Sequence, residues 1–293
     1  MFGDLRRRDR APEGARGISL QAVKIRMRSV GNIQKITKAM KMVAASRLKG
    51  AQTKCEQSRA MIQPFVRLLG DTPNAETERT VVVPISSDKG LCGGINTAVV
   101  KYTGVLKAIN NGQAGLNIVG DKARSQLTRL YPENVNSVVV DTTKQPLTFS
   151  TASAIADSIL AENSPKTHIV YNRFVSAISF KPTVVTCLNS EELEKAAEEG
   201  ANAFDSYEIE GPDRSEFLLD LSEFKMGALL YNAMLENNTS ELGSRMQSME
   251  NSSKNASEML SKLTLLYNRT RQAAITTELI EIISGASSLE SAD

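Results

Sequence analysis

After Pro212 the chain runs to Asp293 without another proline, and apolar or small residues recur along it at alternating steps of four and three. They are Phe224, Ala228, Tyr231, Leu235, Leu242, Met246, Met249, Ser253, Ala256, Leu260, Leu263, Tyr267, Thr270 and Ala274. A 3.5-residue period marks a coiled-coil seam, not the broad apolar face of a helix lying on a rounded core. At a rise of 1.5 Å per residue, about seventy such residues would reach roughly 105 Å, far beyond the width of a small domain. Gly227 and Gly243 each cost about 1 kcal/mol relative to alanine, too little to stop so long a pattern. A rod of this kind requires a partner helix.

The other end of the chain supplies a candidate. From Leu20 to about Leu69 a second helical stripe carries Leu20, Val23, Met27, Val30, Ile33, Ile36, Met40 and Val43. Ser19 is placed to cap its start, and Pro64 to end or kink it. The simplest arrangement is an antiparallel pair within one chain. The low aromatic content of 5%, with no Trp, suits long helices better than a large rounded core.

Charge is strongly uneven. Between Gly14 and Cys55 there is no acidic residue, while Arg16, Lys24, Arg26, Arg28, Lys35, Lys38, Lys41, Arg47, Lys49 and Lys54 all lie there. A solvated helix face normally mixes signs, so this run points to a partner of opposite charge: acidic protein segments, nucleic acid or an anionic membrane surface. No aromatic residue occurs between Phe2 and Phe65 to stack on bases, which counts against nucleic acid.

Between residues 80 and 190 short β-branched runs read as strands at Thr80–Ser86, Leu116–Gly120, Val138–Asp141, His168–Phe174 and Thr183–Leu188. Helical patterns separate them at Asn96–Ile109, Lys122–Leu130 and Ser150–Ala161. This alternation predicts a Rossmann-like α/β layer with a mostly parallel sheet. Residues 191–223 are acidic and read as a largely solvated connector. The expected organisation is a polar arm at 1–17, a first coiled-coil helix at 18–70, an α/β domain at 78–200, an acidic connector at 201–214 and a second coiled-coil helix at 215–293. The Arg-rich arm is compatible with the remnant of a targeting sequence or with a disordered tail; Asp4, Asp9 and Glu13 count against the former.

Catalytic chemistry finds few parts. Ser87–Gly94 (SDKGLCGG) follows the first strand, yet it is neither a P-loop nor a dinucleotide fingerprint. It reads instead as a tight turn bringing backbone close to another surface. His168 is the only histidine, so a nucleophilic pair would have to join it to Cys92, with no third member indicated. Three widely spaced cysteines give no disulfide framework or zinc cluster. No apolar run is long enough to span a bilayer, so any membrane association is expected to be indirect. No cofactor or metal is expected.

Three stretches together resemble the gamma subunit of the rotary ATP synthases: NIQKITKAMKMVAAS at Asn32–Ser46, SDKGLCGGIN at Ser87–Asn96, and Glu241–Leu289. The last contains Arg245-Met246 and YNRTRQAAITTELIEIISGAS at 267–287. The wording of the first stretch is most similar to mitochondrial members, and the cysteine-bearing insertion of chloroplast members has no counterpart. The resemblance implies a non-catalytic central rotor shaft, peripheral on the matrix side of the mitochondrial inner membrane. Its terminal helices would turn inside a ring of alpha and beta subunits, and its α/β domain would sit with delta or epsilon subunits above the membrane c-ring. Nucleic acid has no place in that assembly. It further implies contacts with the alpha/beta ring through Lys38, Met40, Lys41, Cys92, Arg271, Gln272, Thr276 and Glu278, and through an apolar tip that includes Ile280 and Ile283. The runner-up is a coiled-coil adaptor that uses the basic helix to hold nucleic acid or an anionic surface.

Overall fold

The computed structural model describes residues 20–69, 79–198, 211 and 213–290. The expected polar arm, and most of the expected acidic connector, lie outside the described residues. The chain divides into two compact units, Ala39–Glu250 and the remainder, made of residues through Lys38 and from Asn251 onward. Two long helices contribute to both: α1 (Leu20–Leu69) and α6 (Arg214–Glu290).

The larger unit is built on a five-stranded sheet of order β3-β2-β1-β4-β5, with β1 Thr80–Pro84, β2 Gly115–Val119, β3 Val135–Val139, β4 Lys166–Phe174 and β5 Phe180–Leu188. The first four strands are parallel, and β5 returns antiparallel along β4 as a hairpin. Pro182, which cannot donate to a ladder, is tolerated on β5 at the sheet edge. Helices α2 (Ile95–Ile109) and α3 (Asp121–Leu130) cover one face, with Val99, Val100, Ala123 and Leu127 packed on Val82, Leu116, Ile118 and Val170. On the other face α4 (Phe149–Leu160), the middle of α6 and Ile62 of α1 close over Val81, Val83, Ile169, Tyr171 and Val185. The observed strands and helices match the expected set with boundary shifts of a few residues, and the doubly covered parallel sheet explains the unbroken apolar runs. The acidic stretch is not entirely a solvated connector: Ser190–Glu198 forms α5, which buries Leu193.

Within this unit α1 and α6 run antiparallel. Lys41 pairs with Glu250 and Ser58 hydrogen-bonds Asn232, so the partner number falls as α1 advances. From Lys225 to Gly243 nearly every α6 residue is buried, on all sides of the helix. This corrects the expectation of a simple two-stranded seam: here α6 is a core helix enclosed by sheet, α4 and α1. Gly243 marks one close approach, since a Cβ there would meet the Ala177 carbonyl oxygen of the β4–β5 turn at 3.0 Å. In the smaller unit the expected seam holds. Val23, Val30, Ala256 and Leu263 form its buried cluster, with Met27, Leu260 and Tyr267 against it. Ala274, expected on the seam, is exposed.

The register of α1 also departs from expectation. Its buried positions are Val23, Val30, Thr37, Ala44, Leu48, Cys55, Ser58 and Ile62, with Met27, Gln34, Lys41 and Ala51 half-buried between them. That series keeps alternating steps of four and three throughout, whereas the apolar stripe through Ile33, Ile36 and Val43 sits one residue away and is exposed, Ile36 by 58%. Small and polar residues serve the seam because they let helices approach closely. Buried Thr37 satisfies its hydroxyl by donating to the Ile33 carbonyl oxygen at 3.0 Å.

Two stability tests follow from this packing. Leu48→Ala should cost about 2–4 kcal/mol in denaturant titrations, as core truncations do, whereas Ile36→Ala should stay within about 0.5 kcal/mol, as at an exposed site. His168 is buried in β4, with Nδ1 2.9 Å from the Thr186 hydroxyl, and burial pushes its pKa down to about 4. Between about 6.5, its ordinary value, and 4 the unfolded chain therefore takes up a proton that the folded chain refuses. Thermal stability should fall as pH drops through that window, and His168→Asn should flatten the decline.

Candidate partner-binding surface

The loop after β1 is shaped by internal hydrogen bonds. Ser87 N–H donates to Asn96 Oδ1 at 3.0 Å, and Asn96 Nδ2 donates to Cys92 Sγ at 3.2 Å. Asp88 gathers the loop ends: its carboxylate accepts the Asp121 and Asp141 amides at 3.2 and 3.0 Å and the Thr143 hydroxyl at 3.1 Å. The loop then seats on α6. Ser244 donates to the Cys92 carbonyl oxygen, and Arg245 to that of Gly90 at 3.3 Å, while Arg245 also pairs with Glu241. Gly93 has φ +64°, and a Cβ there would stand 2.8 Å from Ser248 Oγ, so only glycine fits between loop and helix.

This geometry removes Cys92 as a nucleophile. Its side chain is buried, and desolvation pushes the thiol pKa up, away from the reactive thiolate. Cys55 and Cys187 are likewise buried, with burial raising them to about 12 and about 11. His168 bonds Thr186 within the sheet and joins no described contact with Cys92, so the two do not form a pair. The Cys92 side chain is buried in the loop, and the neighbouring Leu91, which sequence reasoning did not single out, is 64% exposed and held at φ 63°. No group of residues with metal-ligating potential occurs among the described residues. None of the helices, over those residues, is long and apolar enough to cross a membrane.

The remaining candidate contacts lie along the two long helices. In the larger unit Met40 is half-buried, and Lys41 lies near the seam with Nζ 3.3 Å from Glu250. Arg47, Lys49 and Lys54 are exposed, and Arg47 and Lys54 border a cleft of about 510 Å³. Ile85, Lys89, Asn238 and Arg245 are among the other residues lining it, near the carboxyl end of β1. In the smaller unit Lys24, Arg26, Arg28, Lys35 and Lys38 are exposed, interleaved with exposed Ile25, Ile33 and Ile36. On α6 every residue from Arg271 to Ser287 is exposed, including Gln272, Thr276 and Glu278. Ile275, Leu279, Ile280, Ile282 and Ile283 are all more than half exposed, Ile282 by 69%. A concentration of bare isoleucine on one helix end is a candidate interaction surface. Among the described residues the arrangement presents exposed cationic and apolar surface and brings no catalytic pair together.

Comparison with known proteins agrees with that reading. The family model described as ATP synthase matches residues 19–289. The mitochondrial ATP synthase gamma subunit of Ipomoea batatas is 51% identical over 284 residues, spanning 94% of this chain and 87% of that protein. Its Saccharomyces cerevisiae counterpart is 36% identical over 286 residues, spanning 92% and 89%. Among solved structures, the central stalk/c-ring of Tetrahymena thermophila mitochondrial ATP synthase aligns with TM-score 0.61 and 31% identity, covering 74% of this chain and 98% of that one. A chain of the Euglena gracilis mitochondrial ATP synthase aligns with TM-score 0.81 over 92% of this chain and 94% of that one; at 22% identity it speaks for the fold alone. The chain belongs to the gamma-subunit family of the ATP synthases, the non-catalytic central stalk through which the rotary enzyme couples rotation to ATP synthesis.

Proposed function

We propose that this chain is the stalk of a mitochondrial ATP synthase, peripheral on the matrix side of the inner membrane. The exposed end of α6 turns within the alpha/beta ring, and the α/β unit stands over the membrane c-ring beside delta or epsilon subunits. The observation that carries this is the uninterrupted exposure of α6 from Arg271 to Ser287, isoleucines included. An apolar helix end left uncovered by the described residues fits a surrounding collar of other proteins. Relatives named mitochondrial, and solved neighbours titled central stalk/c-ring and rotor, support the same placement.

Within that assembly the basic face of α1, with Lys38 exposed near Met40 and Lys41, meets acidic segments of the beta subunits. Leu91 and the loop around Cys92 meet the same movable parts. Exposed ion pairs contribute only about 0–1 kcal/mol each, so they guide a passing surface without arresting it. Arg271, Gln272, Thr276 and Glu278 make polar contacts with ring loops, and Ile280 and Ile283 belong to the apolar bearing. Each beta subunit is thereby carried through states of different nucleotide affinity as the stalk turns. Nothing in the comparisons supports a nucleic-acid adaptor.

Expression of the chain in cells lacking their own gamma subunit should restore ATP-driven proton pumping in membrane vesicles. Reversing charge at Lys35, Lys38, Lys49 and Lys54 together should cut pumping several-fold; unchanged pumping would remove the basic face from the mechanism. The free chain should scatter light as an aggregate, and Ile280→Asp with Ile283→Asp should make it largely monodisperse. Equal aggregation of both would sink the bearing.

A further inference from the structure

Strand β4 is longer than its neighbour β1. The ladder between them ends at Pro84 opposite Val170, with one further bond from the Ile85 amide to the Val170 carbonyl oxygen at 2.8 Å. Beyond that point the edge of β4 facing β1 would present bare backbone at residues 172 and 174. Side chains of the long helices take over the vacated ladder. Ser240 Oγ donates to the Asn172 carbonyl oxygen at 2.9 Å, and the Phe174 amide donates to Glu236 Oε2 at 2.7 Å. Arg59 Nη2 donates to the Phe174 carbonyl oxygen at 2.5 Å, and the same guanidinium grips Glu236 at both oxygens, at 2.5 and 2.8 Å.

The spacing explains why a helix can stand in for a strand. Two residues along a strand advance roughly 6.7 Å, and four along a helix about 6.0 Å. Residues 236 and 240 of α6 therefore meet 174 and 172 in register. Glu236 is 1% exposed, and its carboxylate is held by Arg59 and the Phe174 amide. The contact is charge-assisted and directional, and it joins α1, α6 and the sheet at one point. The apolar packing around it contributes in rough proportion to the area buried and specifies no hydrogen-bond register of its own.

We infer that Arg59, Glu236 and Ser240 form a register lock that carries torque between the α/β sheet and the paired helices of the stalk. They are positioning residues: they touch no nucleotide and act by preventing α6 from slipping along the edge of β4 under load. The inference rests on the central-stalk reading.

The test uses intact synthase in vesicles, with wild type, Arg59→Lys, Glu236→Gln and Ser240→Ala compared for protons pumped per ATP hydrolysed. Arg59→Lys keeps the charge and Ser240→Ala nearly keeps the volume, so assembly should survive in both. Arg59→Lys and Glu236→Gln should lower the ratio about threefold while hydrolysis continues, and Ser240→Ala should lower it less, because charge-assisted bonds are the stronger ones. In parallel, the Phe174 amide of Glu236→Gln should exchange hydrogen about tenfold faster, as a local opening would allow. Wild-type ratios in assembled variants would overturn the lock, as would pumping and hydrolysis falling together only as far as assembled complex is lost. If the wild-type chain itself restores no pumping, the stalk reading fails instead.

Discussion

The middle of α6 is held on every side, and the rest of the larger unit is arranged around that enclosure. Met226, Leu229, Leu230, Ala233 and Met234 pack on the sheet, α4 and Ile62 of α1. At roughly 25 cal/mol per Å² of apolar surface buried, such a cluster is the main term holding helix to sheet. It is, however, indifferent to direction. Direction comes from the few polar contacts that interrupt it: Ser58 on Asn232, Asn172 on Asn237, and the Arg59–Glu236 pair on Phe174. Each of these side chains has at least one partner, although Asn172 Oδ1 is left without one among the described residues, and each bond favours one register because breaking it would strand a buried polar atom.

Elsewhere the same two helices are treated differently by their surroundings. In the smaller unit they bury only a narrow seam, and their outer faces carry cations, isoleucines and, towards the end of α6, a bare apolar surface. In its proposed placement within the catalytic ring the stalk would use both properties. Its outward charges must attract without locking, and its apolar end must be uniform enough to turn against a sleeve. The three cysteines are buried, with burial raising their pKa values, so this stalk carries no thiol poised for redox control among the described residues.

Much of this was legible in advance, and the exceptions share a cause. Strand positions were readable because a sheet covered on both faces demands continuous β-branched runs such as Val81–Val83. The seam of α6 from Met249 to Thr270 was readable because its partner is another helix with the same period. The α1 seam was not, past Val30: the sequence offers two stripes one residue apart, and hydrophobicity favours Ile33, Ile36 and Val43. The fold buries Thr37 and Ala44 and half-buries Gln34 instead, because close helix approach rewards small side chains and the isoleucines face outward. The glycine-rich motif around Cys92 does not say which side chain points inward; the fold buries Cys92 and exposes Leu91.

Sequence alone determined the alternation of strands and helices, the two long helical segments, the unbroken basic run and the motifs of the gamma family, since each is written in local spacing. Tertiary structure decided which stripe of α1 is inside, that α6 is enclosed between Lys225 and Gly243, and that Arg59, Glu236 and Ser240 complete the open edge of β4. Those choices depend on contacts between residues more than sixty positions apart. Periodicity within one segment carries no information about the surface another segment will present to it.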